Sequence, residues 1–384
     1  MNAREQDAVV RMLQDDLAGE HAAIIQYLQH VWRMGDTGND IPCEVEEIAR
    51  DEMRHFRWLA ELVVDLGSDP TIERDVIYVN GSPPADLMLL DVDAEDRAIA
   101  MYMAHLRNID DRRIQRVLER ILVDERAHRE RFRGFVSALG GDPDAPTPRP
   151  ELGPFTGRRA AMGDSQPPAS AKTQREATAH PEEFGAYSGH ATNEVIYVKD
   201  PTPVALPPGH ERLIATLNND IAKEYTTVLQ YLFQSFVHKA NRLGKELQLD
   251  IAQWHMKHWG WLAERISELG GEVTTRHDDI DRTRDAAYVL RAAIARQREL
   301  AAHYGEEKDA VEDEEARAVL ARIYAHDVYM TGQLEDLLAE AERAGHPAAV
   351  FPAAGEPQPP PAQPPERHEP RFTVGNLFGR PQDE

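Results

Sequence analysis

Cysteine is nearly missing: Cys43 is the single thiol in 384 residues. That excludes an intrachain disulfide framework, a CxxC redox pair and a thiolate zinc site. Long apolar runs are missing too, and none approaches the ~18 residues of a membrane-spanning helix. The polar start, MNAREQDAVVRMLQDD, lacks the apolar core of a signal peptide. Basic residues are outnumbered, 43 against 67 acidic, for a net charge of −24. The basic footprint that a nucleic-acid backbone requires is therefore absent. A cytoplasmic protein with no nucleic-acid or membrane partner is the expectation, its acidic surface suited to solubility and to attracting cations.

Strand-like alternation is also scarce. Apolar positions recur at helical spacing from about Arg4 to Gly140, and again from about His210 to Ala344. Between them, 141–209 is rich in Pro, Ala, Gly and Ser, and reads as a linker with little packed structure. Residues 345–384 hold ten of the 26 prolines, which predicts an extended, partly disordered tail. The two helical regions repeat each other. Glu20, Gln26, Tyr27 and Leu28 correspond to Glu224, Gln230, Tyr231 and Leu232 at an offset of 204. Met53 and His55 correspond to Met256 and His258 at 203, and Leu118 to Leu320 at 202. So constant an offset marks duplication of a whole domain. Helical stretches fall near 4–35, 42–66, 93–109 and 111–140, then near 210–241, 244–269, 283–305 and 309–344. The prediction is an all-α fold of two four-helix bundles, 1–140 and 210–344.

Chemistry concentrates in the first copy. Glu52 and His55 on the second helix, and Glu125 and His128 on the fourth, are i, i+3 pairs that each share one helix face. Glu20 sits in an apolar run of the first helix. Glu95 supplies the third helix, with Asp91 or Asp96 as substitutes. Four inward carboxylates and two imidazoles are costly to bury unless something compensates them, and a pair of divalent ions does so. Oxygen-rich ligation without thiolate suits iron or manganese better than structural zinc.

Over residues 1–140, in EHAAIIQYLQH, RDEMRHFRWLAELVVDLGSDP and ILVDERAH, the chain resembles the bacterioferritin branch of the ferritin-like family. The resemblance implies a ferroxidase centre of Glu20, Glu52, His55, Glu95, Glu125 and His128, with Tyr27 beside the metals. It implies oxidation of Fe(II) by O2 or peroxide for iron storage or detoxification. Read from its spacing alone, Tyr27 is equally well a core aromatic with a hydrogen-bonded hydroxyl. Met53 matches the methionine through which bacterioferritin dimers hold haem, and Met256 is its counterpart. This implies that the two bundles pair face to face, around haem b; the plainer reading is two gap-filling methionines.

The second copy departs from the pattern. His255, His258, Asp327 and Met330 stand where Glu52, His55, Glu125 and His128 do, and Gln297 falls near the Glu95 position. Glu224 and Tyr231 are kept. The simpler reading is a bundle that has lost the two-ion site and serves structure or pairing. The other is a single-ion site of Glu224, His258 and Asp327 with His255 or His326. After the proline-rich stretch, residues 371–380 form a short apolar island. Its Phe372, Thr373, Val374, Gly375 and Leu377 resemble the cargo-loading peptide of encapsulin-associated proteins. This implies an encapsulin shell partner and a place inside that nanocompartment; the alternative is a tail docked on its own bundle. Two competing functions remain: a rubrerythrin-like peroxidase, which here would lack its four-cysteine electron donor, and a non-catalytic cargo adaptor.

Overall fold

The computed structural model describes residues 2–35, 38–79, 83–148, 193–198, 206–207, 209–247 and 251–343. The fold is all-α, with nine helices and one two-stranded sheet among these residues. The first bundle comprises α1 (Ala3–Met34), α2 (Ile41–Asp65), α3 (Pro84–Asn108) and α4 (Arg112–Ala138). In the second are α5 (His210–Val237), the short α6 (Arg242–Glu246), α7 (Ala252–Glu268), α8 (Ala286–Ala310) and α9 (Glu314–Arg343). The connections from α1 to α2 and from α3 to α4 are short in sequence, while a longer one runs from α2 to α3.

Local chemistry sets the helix ends. Asn2 and Glu5 form a reciprocal capping box on α1, and Asp111 accepts from the amides of Arg113 and Ile114 at the start of α4. Gly67 after α2 and Gly270 after α7 take φ +79° and +78°. Each closes its helix with the same pair of backbone bonds, Gly67 N to Val64 O and Ser68 N to Val63 O, then Gly270 N to Ser267 O and Gly271 N to Ile266 O. The duplication thus extends to the way a helix stops.

The structure departs from the sequence expectation in two places. The third helix begins at Pro84, not near 93, because proline suits the first helical turn and Leu87, Met88, Leu90 and Val92 turn into the core. Asp91 and Glu95 therefore share a continuous helix. Within the segment expected to be a linker, Val195–Tyr197 forms β2 and pairs in parallel with β1 (Ile77–Val79), Tyr78 opposite Ile196. Arg74 anchors this addition. Fully buried, it donates to the carbonyls of Asp75, Asn193 and Glu194 and to Thr275 Oγ1 of the second bundle.

The bundles meet through α1 and α2 on one side and α5 and α7 on the other. Trp32 packs on Trp259 with centroids 5.7 Å apart, and Phe56 on Phe236 at 6.0 Å. At the repeat offsets Trp32 corresponds to Phe236 and Phe56 to Trp259, so each contact is the image of the other. Tyr225 Oη and His21 Nε2, themselves corresponding positions, lie 2.6 Å apart between the bundles. One chain contains an approximate two-fold interface.

Candidate metal centre

Glu20, Glu52, His55, Glu95, Glu125 and His128 come from all four helices of the first bundle, and all six are buried. Their atoms fall into two overlapping groups: Glu20, Glu52, His55 and Glu125, and Glu52, Glu95, Glu125 and His128. In each, the ligand atoms lie within 4.8 Å of one another. Glu52 and Glu125 belong to both, so they are the two that could bridge a pair of ions. Glu20 lies on the His55 side and Glu95 on the His128 side.

Hydrogen bonds cannot satisfy this cluster. His55 Nδ1 faces Glu52 Oε2 at 2.8 Å, Glu125 Oε1 at 2.9 Å and Glu20 Oε2 at 3.5 Å. A single N–H serves one of those three. His128 Nδ1 lies 3.0 Å from Glu52 Oε1 and 3.9 Å from both Glu95 Oε1 and Glu125 Oε2. Glu20 Oε2 and Glu95 Oε2 are buried without partners. Such groups are compensated by protons or by a cation.

The electrostatics agree. Burial, then the neighbouring Glu125, pushes Glu20 and Glu95 well above the ordinary carboxylate range. Burial also acts to raise Glu52 and Glu125, but the imidazoles outweigh it and hold both carboxyls low. Burial alone would lower His128, yet Glu52, Glu125 and Glu95 push it up to about 11. Protons are drawn onto the imidazoles because carboxylates crowd them, and two divalent ions would neutralise the same four charges.

A second ring of residues aims the first. His55 turns Nε2 toward Asp124 at 3.5 Å and His128 turns Nε2 toward Asp51 at 3.3 Å. Each imidazole is thus oriented by the acid that precedes the glutamate on the opposite helix, leaving Nδ1 for the centre. Tyr27 Oη donates to Glu95 Oε1 at 2.6 Å, and Tyr102 Oη donates to Glu20. Burial, then Glu95, raises the Tyr27 hydroxyl well above its ordinary value, so it stays protonated. A cavity of about 20 Å³, room for one water-sized molecule, is lined by Glu20, Tyr27, Ala98 and Glu125.

The sequence substitutes for Glu95 lie elsewhere. Asp91 binds His30 at 2.9 Å and Gln26 at 2.9 Å, and Asp96 is exposed beside Arg129. Tyr102, Asp51 and Asp124 were missed. Both ExxH pairs are preceded by Asp, and Tyr102 stands seven residues past Glu95 with a duplicate, Tyr304. Those were the available signals.

Met53 and Met256 are partly buried, and aromatic side chains meet between the bundles. His21 and Tyr225 touch directly there, Tyr225 stacks on Trp259 at 4.7 Å and Phe56 packs edge-on against His21. The shell-targeting residues 371–380 lie outside the described residues.

A family model for a ferritin-like domain matches residues 10–139. Bacterioferritin of Desulfovibrio desulfuricans is 31% identical over 124 residues, which are 31% of this chain and 69% of that protein. A solved structure of D. desulfuricans bacterioferritin, describing its di-iron site in different catalytic states, is 29% identical. It covers 36% of this chain and 85% of its own, with a TM-score of 0.35. Ferritin-like, di-iron-carboxylate proteins from Bacillus anthracis are similar at 22% identity over 35% of this chain and 99% of theirs, with a TM-score of 0.31.

Proposed function

The chain belongs to the ferritin-like family, and from that premise we propose that its first bundle is a di-iron ferroxidase serving iron storage or detoxification. The observation that carries this is the pair of overlapping ligand groups sharing Glu52 and Glu125. Bound there, two iron ions supply the electrons that reduce O2 or peroxide. The protein's part is placement. Glu52 and Glu125 would hold both ions, and Glu20 with His55 and Glu95 with His128 would each serve one of them. Asp51 and Asp124 fix the imidazole tautomers. Tyr27 and Tyr102 hold the terminal carboxylates in place by hydrogen bonds. The cavity beside Glu20 and Glu125 admits an oxidant no larger than a few atoms.

Stopped-flow absorbance after mixing Fe(II) and O2 tests the assignment. Glu52→Ala and Glu125→Ala should abolish fast oxidation, and His258→Ala in the second bundle should leave most of it. The opposite pattern would move the active site to the other copy. The second part of the proposal is that residues 371–380 recruit the chain to an encapsulin shell. The support is their sequence: an apolar island of Phe372, Val374 and Leu377 behind a proline-rich spacer. Deleting 366–384 should leave oxidation intact and end co-purification with the shell; persistent co-purification would count against the tail. Among the described residues no helix is long and apolar enough to cross a membrane.

A further inference from the structure

The second bundle has a polar centre that the ferroxidase reading does not use. Glu224 on α5, His255 and His258 on α7 and Asp327 on α9 are fully buried. Glu224 Oε2 lies 2.6 Å from His255 Nδ1 and 3.5 Å from His258 Nδ1. Asp327 Oδ1 lies 3.9 Å from His258 Nδ1. Neither Asp327 oxygen has a hydrogen-bond partner, and neither does His258 Nδ1. His326 fixes that imidazole from behind, its Nδ1 3.1 Å from His258 Nε2. With the proton on Nε2 donated to His326, the Nδ1 lone pair of His258 points at the two carboxylates.

We propose that the second bundle binds one divalent transition-metal ion through Glu224, His258 and Asp327, with His255 as fourth ligand. Charge supports the count: two carboxylates balance one divalent ion as four balance two. Geometry supports it as well. Ligand atoms of Glu224, His255 and His258 all lie within 4.8 Å of one another. That is near the roughly 3.4 Å that an ion about 2.0–2.1 Å from tetrahedral ligands sets between them. Asp327, its Oδ1 3.9 Å from His258 Nδ1, closes on that group by a side-chain movement. His255 joins by a small rearrangement. Its Nε2 faces Gln297 Nε2 at 2.6 Å, and Gln297 Oε1 is buried without a partner. Turning that amide lets Oε1 accept from His255 Nε2–H and frees Nδ1 for the ion. This centre has no place for a second ion, because buried Met330 stands where His128 does and Gln297 where Glu95 does; Asp220, His303 and Glu307 form a separate group nearer the surface. Two imidazoles and two carboxylates favour Zn(II) over Mn(II).

The test uses the full chain carrying Glu52→Ala and Glu125→Ala, stripped of metal and titrated with Zn(II), and separately with Co(II) as a spectroscopic probe. Expected are one equivalent per chain, a visible Co(II) band of a four-coordinate site and a higher melting temperature. Asp327→Asn and His258→Gln should each weaken binding at least tenfold and abolish the band without loss of helical circular dichroism. In the chain with its first centre intact, the same two substitutions should lower total metal content by one equivalent. No bound equivalent, or unchanged binding in both variants, would overturn the assignment.

Discussion

Two tyrosines show how single side chains hold the first centre. Tyr102 Oη binds Glu20 and Tyr27 Oη binds Glu95, so each terminal carboxylate has one oxygen held and one free for an ion. Removing the hydroxyl in Tyr102→Phe leaves a buried carboxylate oxygen bare, a loss of about 1–3 kcal/mol. The loss should be smaller with Mn(II) bound, because the ion then neutralises Glu20; denaturant unfolding with and without Mn(II) measures both. Equal losses in the two states would mean that Tyr102 acts on packing alone. A pH effect is expected away from the metal ligands. His303 Nε2 lies 2.7 Å from Asp220 and 3.1 Å from Glu307. Hydrogen bonds to these two raise its pKa to about 9, against partial burial and the nearby Lys223. Lys223 Nζ, 2.8 Å from the same nitrogen, can donate only to a neutral ring, but two carboxylates outweigh one cation. A histidine raised in the folded state stabilises fully below its ordinary 6.5, and that stabilisation is lost as pH rises through about 9. His303→Gln should therefore flatten the fall in melting temperature across that window. The effect should stay near 1 kcal/mol or below, since the side chain is about a third exposed.

At the scale of the element, legibility followed period. All six ligands of the first centre sit on long helices, whose 3.6-residue repeat ties sequence spacing to a shared face, so Glu52 with His55 and Glu125 with His128 could be read directly. The parallel sheet could not. Ile77, Tyr78 and Val79 are all buried, so β1 shows no alternation, and its partner lies more than a hundred residues away beyond a proline-rich stretch. The start of α3 was hidden for a related reason: Leu87 to Val92 is nearly continuous apolar sequence, without a polar face to give a helical period. Arg74 is the price of the added strand, a charge taken fully out of water whose two Nη nitrogens donate to carbonyls of Asp75, Asn193 and Glu194 while its Nε stays without a hydrogen-bond partner. Arg74→Met should cost about 2–4 kcal/mol, because it strips donors from buried carbonyls. The amide protons of Ile77 and Val198, which bond across the two strands to Glu194 and Val79, should exchange faster in that variant. Unchanged exchange at both would show that the strand pair holds without the arginine.

Across the whole molecule, duplication has freed one copy from the chemistry of the other while keeping their contact. In a symmetric dimer any change at the interface occurs twice; here Trp32 can face Trp259 while the image contact is Phe56 on Phe236. The same freedom lets His21 meet a tyrosine, Tyr225, at a distance of 2.6 Å. In the buried polar clusters, Glu52 and His128 of one copy become His255 and Met330 of the other, and four carboxylates become two. The interface joins these aromatic contacts to polar links: Gln29 Nε2 to Val273 O inside it, and at the rim Lys239 Nζ to Glu61 O and Arg33 to Glu272. Substituting Trp32 and Phe236 together by glutamate puts one charge into each of the paired contacts, and neither residue belongs to a metal centre. Burying two unpaired carboxylates there should cost more than the remaining aromatic packing returns. The chain should then open into two separately folded bundles on a tether. Small-angle scattering should show a larger radius of gyration, with helical circular dichroism and fast Fe(II) oxidation retained. An unchanged scattering profile would place the hold between the bundles elsewhere, in the Arg74 and Thr275 link or the polar rim.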